Sequence, residues 1–129
     1  MENMFHEVET SLSPAEASER IQEAAKENKF GVINVLNLTE IMAGKGVEYD
    51  GAAIVIEICQ PGYAKKFLEV EPTVATCLPC RVSVTSKGGK TIVHTIRPEN
   101  AFAMFNVPGL EPLAKEVAEI LNRIMEAVA

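Results

Sequence analysis

An apolar stripe along the last twenty residues constrains the fold of this chain more than any other feature. Its members recur every three or four residues: Leu110, Leu113, Val117, Ile120, Leu121, Ile124 and Val128. This spacing places them on one face of an α-helix, while the pairs Glu111–Lys115 and Glu119–Arg123 stabilise the opposite, solvated face. Such a helix is stable in a protein when its apolar face packs against another element, so the rest of the chain must supply that surface.

The surface comes from a series of segments with strand periodicity. Apolar alternation or β-branched content predicts strands at 4–10, 30–38, 52–59, 81–85 and 91–96. Helices are predicted from Pro14, capped by Ser13, to about residue 28, over about 39–43, and from Pro61 to near residue 72. After Pro98 the chain becomes helical again and continues into the apolar stripe.

The order β-α-β-α-β-α-β-β-α predicts an α+β fold, in which a mostly antiparallel sheet packs its helices on one face. The seven Pro and eight Gly residues punctuate these segments, and neither a linker nor an internal repeat interrupts them. We therefore expect a single domain over residues 1–129, large enough to bury its core without disulfide bonds.

The last two predicted strands form a hairpin, whose register decides which side chains share a face. A three-residue loop pairs Val84 with Ile92 and Val82 with His94, which sets apolar residues opposite apolar ones along most of the hairpin. The same register places His94 diagonal to Cys80 on one face of the sheet, within reach of a long side chain.

The charge balance excludes two classes of partner. Twelve Lys and Arg stand against eighteen Asp and Glu, so the net charge is −6, and no basic cluster is present to bind nucleic acid or an anionic membrane surface. The N-terminal residues lack the pattern of a signal peptide, and the longest apolar run, 52–56, is far too short for a membrane span. With an odd number of cysteines in addition, we expect a cytoplasmic protein.

Cysteines are the clearest candidates for chemistry. Cys77-Leu78-Pro79-Cys80 has the C-x-P-C form of thioredoxin-like motifs, but there a helix follows and lowers the thiol pKa, whereas here a strand follows. On an extended chain the two cysteines lie about 10 Å apart, beyond the roughly 7 Å limit for a disulfide. A cis Leu78–Pro79 bond would close the turn, but it is the minority state, so we expect ordinary thiols.

A metal site would need a further ligand beside these cysteines. Cys59 would be the obvious third metal ligand, but no recognisable zinc spacing is present and we predict no metal site.

Four blocks of sequence together resemble domain-of-unknown-function family 302: Phe30-Gly31-Val32, Cys59-Gln60-Pro61-Gly62-Tyr63-Ala64, Leu78-Pro79-Cys80-Arg81-Val82 and Gly89-Lys90-Thr91. In this resemblance Cys59 and Cys80 match cysteines of the family pattern, and Cys77 is an addition. The chain departs from the pattern at Gln60 and Arg97. The resemblance implies a TATA-binding-protein-like β-α-β4-α fold, often a homodimer, and no established activity, substrate or cofactor.

Two functional hypotheses follow. The first is a non-catalytic, homodimeric module that binds a small ligand, with an anion favoured, in a cleft between the sheet and the helix that begins at Pro61. Its expected ligand-binding residues are Cys59, Cys80, Arg81 and His94. The alternative is a thiol-dependent redox or soft-metal-binding protein that uses Cys59 and Cys80. We favour the first, because the sequence shows neither a pair of carboxylates nor a nucleophile and base in a catalytic pattern, and it identifies no cofactor.

Overall fold

The structure is a computed structural model and describes residues 4–129. Its elements, in chain order, are β1 (Phe5–Thr10), α1 (Pro14–Glu27), β2 (Gly31–Asn37), α2 (Leu38–Gly44), β3 (Ala52–Cys59), α3 (Pro61–Val70), a 3-10 helix (Pro72–Cys77), β4 (Cys80–Lys87), β5 (Lys90–Ile96), α4 (Pro98–Ala103) and α5 (Leu110–Glu126). The predicted order of strands and main helices is confirmed. The 3-10 helix and the separation of α4 from α5 were not predicted.

The five strands form one sheet in the order β1-β5-β4-β3-β2, and every neighbouring pair is antiparallel. The first strand of the chain thus lies beside the last, while β2 and β1 are the two edges. Without the short helices between strands, the connectivity is β-α-β4-α. The predicted α+β fold class is therefore confirmed.

Helices α1 and α5 build the core against one face of this sheet. The sheet contributes Ile54, Ile56, Ile58, Val82, Val84 and Val93, all buried. In the C-terminal stripe, Leu110, Val117, Leu121, Ile124 and Val128 are buried, whereas Leu113 and Ile120 pack at its margin. Full burial of a Leu or Ile side chain contributes roughly 1.5–3 kcal/mol, so the stripe fixes α5 on the sheet.

The opposite face of the sheet is more open, and its side chains are partly or fully exposed along β1, β4 and β5. We call this the open face. Its central side chains are polar: Glu7 of β1, Ser83 and Thr85 of β4, and His94 of β5. None of the helices formed within residues 4–129 is long and apolar enough to cross a membrane.

The predicted hairpin register is wrong by one residue. Lys87 pairs with Lys90 across a two-residue turn, so Val84 lies opposite Val93 and Ser83 opposite His94. His94 consequently points to the open face, whereas Cys80 shares the core face with Val84, and the predicted diagonal contact between them does not exist.

Two local features explain the register. Gly88 and Gly89 both adopt positive φ, at 66° and 84°, as a two-residue turn that follows the twist of the strands requires. The core face of β5 carries two threonines, Thr91 and Thr95, both buried, and the hydroxyl of Thr95 donates to the carbonyl of Arg81 at 2.8 Å. The prediction failed because it treated the isoleucines of β5 as the buried set.

We expect Gly89→Ala to lower the free energy of unfolding by about 1 kcal/mol, because an L-residue is strained in the left-handed region. A Cβ at this position would have no atom within 4 Å, so the backbone alone carries the effect. Gly44→Ala is the matched control, since Gly44 also has open space but lies at the end of α2 without positive φ. Urea unfolding of both variants tests this, and an equal effect of the two substitutions would contradict the turn geometry.

Candidate functional site

A cleft of about 460 Å³ opens where the pairing of β4 with β5 stops. β4 begins at Cys80 and β5 ends at Ile96, but their paired residues end at Ser83 and His94. Beyond that pair, the strands are joined through the side chain of Thr95. Each strand keeps its outer partner, because β4 still pairs with β3 and β5 with β1. The sheet is therefore parted between β4 and β5 at this end.

Two prolines lie beyond the end of this ladder. Pro79 precedes β4 and Pro98 follows β5 by two residues, and continuing the register of the hairpin would set them opposite each other. Proline has no N–H to donate, so the backbone ladder could not be extended through that position. Both prolines line the cleft, and the Leu78–Pro79 bond is cis, whereas the sequence analysis expected trans, the majority state. Leu78 itself is extended, as expected for a residue before proline.

The inner part of the cleft is mostly apolar, and Arg81, Ser83 and His94 line its opening on the open face. The hydroxyl of Thr95 faces the core side and is bonded to the carbonyl of Arg81. The inner wall of the cleft includes Phe102 of α4 and Leu121 of α5, both buried in the core. Phe102 stacks on Phe67 of α3 with ring centroids 4.3 Å apart, which fixes the position of this wall. The polar lining side chains are Thr76, Arg81, Ser83, His94 and Thr95. Such a combination is typical of small-molecule sites.

Arg81 is the permanently charged residue of the cleft lining. It lies opposite Glu57 of β3, and its Nε donates to Oε2 of Glu57 at 3.1 Å. The arginine side chain is 53% exposed and that of the glutamate 15%, so the pair lies at the surface with the carboxylate on its inner side. One of the five guanidinium N–H donors is engaged in this contact.

His94 links three strands across the open face. Its Nδ1 lies 2.7 Å from Oε2 of Glu7 on β1, and its Nε2 lies 2.7 Å from Oγ1 of Thr85 on β4. A carboxylate only accepts hydrogen bonds, so Nδ1 carries a proton, and in the neutral ring Nε2 accepts from the threonine hydroxyl. Both ring nitrogens are thus engaged, and His94 holds the rim of the cleft in place.

The cysteines lie in two different places. Cys77 and Cys80 line the cleft, whereas Cys59, at the end of β3, lines a separate cavity of about 10 Å³ beside α3, where Cys80 forms part of the wall. All three are free thiols. Burial, with a smaller contribution from neighbouring Cys59, raises the pKa of Cys80 from the usual 9.0 to about 11. Burial also raises the pKa of Cys59.

The predicted position of the cleft, between the sheet and the helix that begins at Pro61, is wrong. The space there is the 10 Å³ cavity, which has room for at most one water molecule. The N-terminus of α3 offers little to a ligand, because Pro61 has no N–H and Oε1 of Gln60 accepts the N–H of Tyr63 at 2.7 Å. Of the predicted ligand-binding residues, Cys80, Arg81 and His94 line the larger cleft and Cys59 does not.

Several residues of the cleft were missed by the sequence analysis. Phe102 and Leu121 were assigned only to helices. Glu7 and Thr85 do not line the cleft but contact His94 at its rim, and Glu7 is 87 residues from His94 in the chain. A correct hairpin register would have placed Thr85 and His94 on one face. Within residues 4–129, no group of three or more His, Cys, Asp or Glu side chains could hold a metal ion.

The raised pKa of Cys80 predicts slow alkylation at neutral pH, because the thiolate is the reactive form and is scarce below pH 11. Peptide-level mass spectrometry of the native protein with iodoacetamide should show the rate at Cys80 still rising between pH 9 and pH 10. The same protein in 8 M urea is the control, and there the rate should level off near the ordinary thiol pKa. A plateau at or below pH 9 in the native protein would contradict the assignment.

The comparisons with known proteins agree with the resemblance carried by the four sequence blocks. The sequence pattern of the family described as "Domain of unknown function DUF302" matches residues 6–128. Among solved structures, the uncharacterized conserved protein DUF302 from Bacillus stearothermophilus is similar, with a TM-score of 0.92 and 26% identity over 98% of each chain. No curated protein matches the sequence. With nearly the whole chain matched, this protein belongs to the DUF302 family.

Proposed function

We propose that this protein is a non-catalytic, homodimeric module that binds a small ligand in the cleft between β4 and β5. The observation that carries the proposal is the separation of β4 from β5 at one end, which leaves about 460 Å³ of mostly apolar space with Arg81, Ser83 and His94 at its rim. This volume lies within the range of sites for small organic ligands. An odd number of free cysteines supports a reducing, cytoplasmic location.

The geometry supports binding rather than catalysis. Thr85, His94 and Glu7 are connected like a nucleophile, a base and the acid that orients it. However, Thr85 lies within the sheet and pairs with both Ala53 and Ile92, so the backbone donors beside it serve the two ladders. Acyl transfer needs such donors to stabilise an oxyanion, and the open face of a sheet does not provide them.

The alternative of thiol chemistry is not favoured. A reactive or metal-binding cysteine requires a lowered thiol pKa, usually from a nearby cation or a helix N-terminus. Here burial raises the pKa of both Cys59 and Cys80, and the opposing effect of Arg81 on Cys80 is smaller than that of burial.

The surface around β2 and α2 supports the homodimer. Within residues 4–129, six of the ten large hydrophobic side chains that are exposed lie in the short stretch 33–49: Ile33, Val35, Leu38, Ile41, Val47 and Tyr49. Helix α2 has no buried residue, and β2 is an edge strand with unpaired backbone groups. An antiparallel edge can pair with itself about a twofold axis, so a second copy of this chain is the partner best matched to it.

Ligand binding can be tested with the neutral fluorescent probe N-phenyl-1-naphthylamine. We expect the wild-type protein to enhance its fluorescence, and Ala101→Phe to abolish the enhancement, because Ala101 lines the cleft and a phenyl ring there fills it. Ala103→Phe is the matched control on the same helix, since Ala103 is exposed and outside this cleft. Equal binding by both variants would place the probe elsewhere, and absence of binding to the wild type would refute the proposed cleft function.

The dimer can be tested by analytical ultracentrifugation. We expect the wild-type protein to sediment with twice the chain mass of 14.0 kDa, and Ile41→Glu to sediment as a monomer, since a charge on α2 would be desolvated in the interface. Met104→Glu is the control, because Met104 is exposed far from β2 along the chain and should leave the mass unchanged. A monomeric wild-type protein would refute the homodimer without affecting the cleft.

A further inference from the structure

We infer that the ligand of this cleft is an amphipathic monocarboxylate, whose apolar body lies against Phe102 and Leu121 and whose carboxylate binds the guanidinium of Arg81. This inference rests on the proposed function and names the chemical class of its ligand. It is based on the charged lining residue of the cleft, which is an arginine although the net charge of the protein is −6.

The interior of the cleft fits an apolar body. Phe102, held by its stack on Phe67, and Leu121 form the inner wall, and Pro79, Pro98 and Ile96 line the sides. These side chains have no hydrogen-bonding groups, so a polar ligand atom placed among them would lose its water without gaining a partner. The polar end of a bound molecule therefore has to face the opening on the sheet.

The charged side chain in the lining of the cleft is a cation, in a protein whose net charge is negative. The chain contains eighteen Asp and Glu residues and a net charge of −6, yet no carboxylate is among the described residues that line the cleft. Arg81 lies at this opening, with Ser83 two residues further along the same face of β4. A carboxylate at this point can accept charge-assisted hydrogen bonds from the arginine and a further one from the serine hydroxyl.

The two carboxylates bonded to residues of the cleft, Glu57 and Glu7, do not make it a site for a cationic ligand, because each already has a basic partner. Glu57 is bound to Nε of Arg81, and Glu7 to Nδ1 of His94. The contact with Glu57 uses the Nε side of the guanidinium and leaves both terminal amino groups for a second acceptor. Because Glu57 already balances much of the arginine charge, the site suits a single negative charge rather than a dianion such as a phosphate monoester.

Calorimetric titration with 4-phenylbutyrate and its neutral analogue 4-phenylbutanamide tests the inference. We expect the wild-type protein to bind the acid about tenfold more tightly than the amide, the size of effect given by one hydrogen bond to a charged group. Arg81→Gln should abolish this preference and leave the affinity for the amide unchanged. Lys87→Gln is the matched control, because Lys87 lies on the same face of β4 at its far end and outside the cleft.

Glu57→Gln gives a second, opposite test. Removing the competing carboxylate frees more of the arginine charge, so this variant should increase the preference for the acid, whereas a purely structural role of the Glu57–Arg81 pair predicts no increase. If the amide binds as tightly as the acid, or the preference survives Arg81→Gln, the ligand class is wrong, while binding of the neutral fluorescent probe still supports the cleft function. If the acid, the amide and the probe all fail to bind, both proposals are refuted.

Discussion

The two-glycine turn at Gly88-Gly89 is the constraint on which much of this structure depends. It fixes the pairing of β4 with β5, and a shift of one residue would turn every side chain of one strand to the other face. Through this pairing Val84 and Val93 enter the core, while Ser83 and His94 face outwards. The backbone conformation of this turn therefore determines which side chains of β4 and β5 face the core and which face the candidate site.

The fold was largely predictable from the sequence because its determinants are periodic. The stripe of α5 and the β-branched run of β3 define their elements without reference to neighbours. The hairpin register was not predictable in the same way, because Thr91 and Thr95 occupy the core face of β5, and Thr95 does so with its hydroxyl bonded to a carbonyl. A prediction based on apolar content alone placed the isoleucines of β5, rather than its threonines, on the core face.

The candidate site was predictable only in part, for a physical reason. Cys80, Arg81 and His94 lie in the two strands of the hairpin, and they do line one cleft. The space itself lies between elements, with Pro79 before β4, Pro98 after β5 and the phenyl ring of Phe102 on α4 in its lining, and no pattern within one segment contains that information. Cys59 was grouped with the others by residue type, but the end of β3 carries it to the opposite side of Cys80.

The end of the ladder at Ser83 and His94 also changes what holds β4 and β5 together. Beyond it, β4 is paired with β3 and β5 with β1, and between them the hydroxyl of Thr95 donates to the carbonyl of Arg81. One such hydrogen bond contributes about 1 kcal/mol. Among the described residues, the two strands are therefore held together less strongly beside the cleft than along the paired part of the hairpin.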